Sequence, residues 1–286
     1  VIIGFNNFLK MILLDKTHYN KAIEPLKKVT INTLFAHAVV DGCVEGVVFV
    51  DDVDRPRTFY VEHPYGMSLL FGEAGNEEFN SKFLDYSLNA DRNRDKHVWM
   101  QAWPQKWDAK LVELFDGRLI KSEDNTGDDN GNFVELNTRV NFKINVDKHQ
   151  RFKATSPAHS HKITRSDKCV FENMKGSVVP YYFWDNAEHF CNDGVGFSLF
   201  CERDLASTAF SAFIVDNKVE IGIETFEIFK RKGLAQLACS ALIDYCLENS
   251  LEPIWSCRLE NYGSYKLAQK LGFDPTITLP YYRLCN

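Results

Sequence analysis

The chain has 286 residues, 45% apolar and 13% aromatic, with a formal net charge of -6. That composition supports a packed core in one large or two ordinary domains. It contains no run of eighteen apolar residues, which argues against a membrane-spanning helix, and its acidic balance argues against a nucleic-acid backbone as the main partner.

The opening VIIGFNNFLKMILL is apolar but broken by Asn6, Asn7 and Lys10. It lacks a basic n-region and a cleavage pattern, so it does not read as a signal peptide, and Met11 is a candidate start. The eight cysteines are scattered and form no Cys-x-x-Cys pair. That usage points to a reduced, cytoplasmic protein.

Residues 15 to 40 read as one or two helices, with Leu26, Val29, Ile31, Leu34, Phe35 and Val39 suited to burial. GVVFVDD and TFYVEHPYGMSLLFG read as strands joined by the polar turn Asp51 to Arg57. Asn76 caps a helix whose stripe is Phe79, Phe83, Leu84 and Leu88. VWMQAW from Val98 is a strand, and Trp107 to Phe115 a helix. Lys121 to Asn132 is an acidic, turn-rich loop; Asp124, Asp128 and Asp129 do not follow the twelve-residue grammar of an EF-hand calcium loop.

Leu136 to Val146 alternates as a strand. The polar stretch Asp147 to Arg165 is the expected domain boundary, which divides the chain into 1–150 and 151–286. His159 and His161 flank Ser160 but have no suitable third ligand nearby, so a solvated loop is the plainer reading and no metal is expected. A helix follows over Phe183 to Asn192, then strands in VGFSLFCE and STAFSAFIVDN, then the hairpin turn Asp216-Asn217-Lys218.

The most informative stretch runs from Val219 to Phe273. A strand, Val219 to Thr225, alternates Ile221 and Ile223 with Glu220, Gly222 and Glu224. It leads through Lys230-Arg231-Lys232-Gly233 into a helix with Leu234, Leu237, Ala238, Ala241, Leu242 and Tyr245 on one stripe, stopped by Ser250 and Pro253. A strand at Ile254 to Arg258 and a short helix closed by Gly272 complete it. A strand that enters a helix through a glycine turn leaves helix N–H groups without partners, in a place where an anion can approach. Three cations clustered there, in an acidic protein, suit such an anion site.

These residues resemble the GCN5-related (GNAT) N-acetyltransferases, whose turn reads Gln/Arg-x-x-Gly-x-Gly/Ala. Here it reads Lys230-Arg231-Lys232-Gly233-Leu234-Ala235, and Asn261 with Lys270-Leu271-Gly272-Phe273 matches the family's downstream ending. From about Phe183 to Leu284 the chain also looks like the bacterial GNAT subgroup that includes a zwittermicin-resistance-type protein.

The resemblance implies an α+β fold in the second half, with a mixed, mostly antiparallel sheet flanked by helices. The first half runs through similar elements without a Gly-x-Gly/Ala turn. It is either a degenerate copy that lost the cofactor or an unrelated α+β domain. The resemblance further implies acetyl-CoA as cosubstrate, no metal, and a small-molecule or peptide amine as acceptor. The protein would be a monomer or homodimer without nucleic-acid or membrane partners.

By the family pattern, Ile223 and Thr225 pair with the cofactor arm, and Lys230, Arg231, Lys232, Gly233, Leu234 and Ala235 take the pyrophosphate. Asn261 reaches the arm, and the strand from Ile254 splays away to admit the thioester. Glu224 and Glu220 are the candidate bases. The family's general-acid Tyr position is Ala268 here, leaving Tyr262, Tyr265, Tyr281 or unassisted thiolate departure. Trp184, Asp185, Glu188, Ser207, Ser211 and Trp255 are candidate acceptor-lining residues. The competing reading is a catalytically weak or inactive acyl-CoA-binding sensor of the same fold.

Overall fold

A computed structural model describes residues 11–92, 94–124, 132–156 and 160–286. Residues 1–10, Asp128 and Asp129 of the acidic loop, and His159 lie outside the described residues. The chain forms two compact units, residues 1–137 with 280–286, and residues 138–279.

In chain order the first unit contains β1 (Ile12–Leu13), α1 (Asn20–Leu26), α2 (Leu34–Val40), β2 (Val47–Val50), β3 (Thr58–Glu62), β4 (Met67–Gly72), α3 (Glu77–Ser87), β5 (Val98–Trp103), α4 (Lys106–Leu114) and β6 (Leu119–Lys121). Strands β1 to β4 pair antiparallel in sequence order, and α3 carries the chain over to β5, which lies parallel to β4. Such a crossover is the short route between parallel neighbours. Tyr60, Leu70, Phe79, Phe83, Met100, Trp107 and Leu111 pack into the core beneath α3 and α4.

β7 (Val134–Ile144) begins in the first unit and ends in the second. The second unit continues with α5 (Val146–Thr155), β8 (Lys162–Arg165), α6 (Lys168–Asn173), α7 (Ala187–Asp193), β9 (Gly196–Cys201), β10 (Asp204–Val215), β11 (Lys218–Thr225), α8 (Leu234–Glu248), β12 (Glu252–Arg258), α9 (Tyr262–Lys270) and β13 (Phe273–Leu284). Strands β8 to β11 again pair antiparallel in order, and α8 crosses to a parallel β12. The expected stripe of α8 is buried at Leu234, Ala238 and Leu242, against Val219, Ile221, Val140, Phe142 and Trp255 of the sheet.

Order and pairing in the second unit repeat those of the first. This supports the copy reading over the unrelated-domain reading. The closing strands, however, are exchanged. β12 is flanked by residues 139–143 of β7, whereas β5 is flanked by residues 282–284 of β13, both antiparallel.

The boundary expected within 147–165 is therefore a correction: the units divide after Asn137, and Pro280–Asn286 return to the first. The polar stretch is instead built into the second unit as α5 and β8. His149 is fully buried, donating from Nδ1 to the Leu271 carbonyl at 2.8 Å, with Nε2 3.2 Å from Asp244 of α8. Gly272 ends α9 in the left-handed region, where a Cβ would come within 2.5 Å of the His149 nitrogen. The sequence reading also missed α6 and began α7 too early. Asn186 is its cap, accepting from the His189 N–H at 2.9 Å. β12 starts at Glu252, so Pro253 lies inside a strand rather than merely stopping α8.

Candidate active site

Strands β11 and β12 run side by side only at their beginnings. Lys218, Val219 and Glu220 pair with Glu252, Pro253 and Ile254, and there the parallel pairing ends. β11 continues to Thr225 against β10, while β12 continues to Arg258 against β7. The two therefore part like a fork, as expected from the resemblance.

The fork exposes a particular edge. The Phe226 N–H donates to Ala206 O at 3.0 Å, so 226, 224 and 222 turn their backbone groups toward β10. Alternation along an antiparallel ladder turns those of Ile221, Ile223 and Thr225 the other way, toward the opening. An edge of this kind takes up an extended chain rich in amides, as a further strand would.

The open end of β11 leads into the basic turn. A short 3-10 turn, Glu227–Phe229, precedes Lys230, and both Arg231 and Gly233 are left-handed. Gly233 is the N-cap of α8 and supplies no side-chain cap. The first N–H groups of a fifteen-residue helix, from Leu234 and Ala235 onward, thus keep the unfilled polarity of a helix start. Lys230, Arg231 and Lys232 are all exposed beside it. Glu227, the acidic residue of this turn, is ion-paired to Lys230 at 2.7 Å, and that hydrogen bond holds its carboxyl below the ordinary range. Lys232 lies over the Phe229 ring. Opening, edge and anion-ready helix start follow one another within the second unit.

The two candidate carboxylates are on one face of β11, opposite α8, but they do not share a setting. Glu220 sits at the last paired rung of the fork and is buried, its Oε1 3.4 Å from Arg139 Nη2 of β7. Phe210 then fills the space over Gly222, where a Cβ would come within 2.6 Å of the ring. Glu224 lies beyond that ring, half-buried, along the stretch where the strands have parted. Its Oε2 accepts from the Ser177 N–H at 2.8 Å, the Ser177 hydroxyl at 3.1 Å and the Val178 N–H at 2.9 Å. Nothing local to β11 points to these donors, because they come from a loop 46 and 47 residues away.

Asn261 is exposed at the start of α9 and caps it, its Oδ1 accepting from the Ser264 N–H at 3.2 Å. Ala268 is fully buried in the core. Tyr265 packs its ring on Phe142, and Tyr281 belongs to the first unit, stacked on Trp99. Tyr262 is exposed on the first turn of α9.

The expected acceptor-lining residues are partly committed to partners of their own, and Ser207 donates to the Glu224 carbonyl at 3.2 Å. Trp255 is core, donating to the Ser264 hydroxyl, and Ser207 is buried with its hydroxyl 2.7 Å from that of Thr225. Trp184 donates instead to the Ser211 carbonyl at 2.8 Å, and Asp185 and Glu188 are exposed.

The forked parallel pair thus opens onto a helix start that has no side-chain cap and is flanked by cations. The GNAT acetyltransferase family profile matches residues 24–282. The chain belongs to that family and is an N-acetyltransferase.

Among curated relatives it is 24% identical over 249 residues to the uncharacterized N-acetyltransferase YdfB of Bacillus subtilis (strain 168), covering 85% of this chain and 87% of that one. Among solved structures it is similar to a GCN5-related N-acetyltransferase-like protein from Streptococcus suis 89/1591, with TM-score 0.66, 19% identity, and 94% and 99% of the two chains covered. It is also similar to a tandem GNAT protein from the clavulanic acid biosynthesis pathway, with TM-score 0.59, 9% identity, and 96% and 97% covered. Those two likenesses show the fold. No helix among the described residues is long and apolar enough to cross a membrane.

Proposed function

We propose that the second unit transfers an acetyl group from acetyl-CoA to the amine of a small molecule or peptide-like acceptor. The observation that carries this reading is the end of β11–β12 pairing at Glu220 and Ile254, followed by the turn at Gly233. Backbone groups of Ile223 and Thr225 would hold the pantetheine arm, with Asn261 beside them. The N–H groups from Arg231 to Ala235, with Lys230 and Lys232 alongside, would hold the pyrophosphate. Acetyl-CoA supplies a thioester carbonyl that is activated toward attack.

The acceptor nitrogen attacks that carbonyl; the C–N bond forms, the C–S bond breaks, and the nitrogen gives up a proton. Glu224 is the proposed base, directly or through a water, because it lies along the opening. Glu220 is the weaker candidate: using it would disturb a buried ion pair behind Phe210. No tyrosine is assigned as acid, since a thiolate with an ordinary pKa leaves without one. No disulfide joins any of the eight cysteines, which suits a reducing, cytoplasmic setting.

The test is thiol release from acetyl-CoA with a panel of polyamine, amino-sugar and peptide amines. Turnover with at least one class supports the reading. Cosubstrate binding by calorimetry without turnover on any amine would favour the sensor alternative, and absence of binding would end both.

A further inference from the structure

Glu224 is not left to choose its own rotamer. The loop between α6 and the 3-10 turn Pro180–Tyr182 bends over it. Its two ends are anchored: Met174 and Val179 are buried together with Val170, and Phe200, Leu205 and Phe226 pack against them. Phe226 is two residues beyond Glu224, so one apolar cluster fixes both the loop and the end of β11.

Between the anchors, Gly176 is left-handed, and a Cβ there would sit 2.6 Å from the Glu224 carboxylate. Only a glycine lets the backbone come this close. The next two amides and one hydroxyl then converge on a single carboxylate oxygen, Oε2. Oε1 is the oxygen outside that set.

We propose that Gly176, Ser177 and Val178 form a positioning cradle that holds the Glu224 carboxylate by Oε2 and leaves Oε1 to take the acceptor's proton. This rests on the reading of Glu224 as the base. Ser177 and Gly176 act through Glu224 and are positioning residues, not catalytic ones. A base fixed by donors from a separately anchored loop avoids the cost of ordering a flexible side chain during the reaction.

The test uses the full chain, acetyl-CoA and the best amine from the panel, with Glu224→Gln as reference. Ser177→Ala should lower kcat roughly 3- to 10-fold, with the KM for acetyl-CoA unchanged, as expected when one of three donors to a charged group is lost. Ser177→Thr should restore it. Gly176→Ala should lower kcat further, and Gly176→Ala combined with Glu224→Gln should be no slower than Glu224→Gln alone, because residues acting as a unit are non-additive.

If Glu224→Gln is slow while Ser177→Ala and Gly176→Ala keep wild-type kcat, the base stands and the cradle is overturned. If Ser177→Ala changes only KM, the loop is a binding element and the cradle is likewise overturned. If Glu224→Gln keeps wild-type kcat, the base reading fails and takes the cradle with it. Should Gly176→Ala not fold, the Ser177 pair decides alone.

Discussion

The two halves of this chain share an order of strands and helices but differ at one joint. In the first unit, β4 and β5 stay paired over five consecutive rungs, from Met67 with Trp99 to Phe71 with Trp103. In the second, the equivalent pair stops after three. The helix starts differ in the same sense. Asn76 fills the entrance of α3, accepting from the Phe79 N–H at 3.2 Å, whereas Gly233 leaves that of α8 without a side chain. The same topology is thus closed and self-capped in one copy, and open in the other. The two copies differ here in where pairing stops and in which residue caps a helix.

The sharpest way to break this contrast is Gly233→Asp. It places a carboxylate at the helix start, combining what Asn76 does in the closed half with a repelling charge. Cosubstrate binding should disappear by calorimetry while the circular dichroism spectrum stays that of the folded protein; unchanged affinity would remove the α8 entrance from the site.

The next effect concerns the fork itself. Arg139 and Glu220 are 8% and 7% exposed, and they meet at the last rung before the strands part. Arg139→Met removes the guanidinium facing a buried carboxylate and should cost about 3–5 kcal/mol. The checking measurement is the denaturation midpoint; a loss below about 1 kcal/mol, the range of an exposed pair, would mean the ion pair does not pin the fork.

The smallest effect belongs to the closed half. Asn76→Ala should cost about 1 kcal/mol, the usual worth of a helix cap, and leave turnover unchanged. A fall in kcat would mean that the entrance of α3 takes part in the reaction.

Much of the open half was legible in the sequence because its chemistry is local. A strand, a glycine turn with three cations, a striped helix and Gly272 occur within 55 residues, and the structure places them in that order, although the buried stripe takes in Cys239, Ile243 and Cys246 and leaves Leu237, Ala241 and Tyr245 half-buried. The Asn76 cap was legible for the same reason. The domain boundary was not. Strand exchange leaves no trace in composition, and the polar 147–165 stretch looked like a linker although His149 sits in the core. The different fates of Glu220 and Glu224 were equally hidden. Period two puts both on one face, but Arg139, Phe210 and the Ser177 loop, which separate them, reach β11 only through the fold.

The exchanged strands carry a consequence for biosynthesis. Residues 282–284 complete the sheet of the first unit beside β5, yet they leave the ribosome after every residue of the second unit. The half made first is therefore expected to finish folding last, with the edge of β5 uncovered in the interval. Limited proteolysis of the chain ended at residue 279 should cut within the first unit, whereas the chain that extends through residue 286 should be spared there. Cutting the gene at its apparent midpoint would hand each product a strand meant for the other.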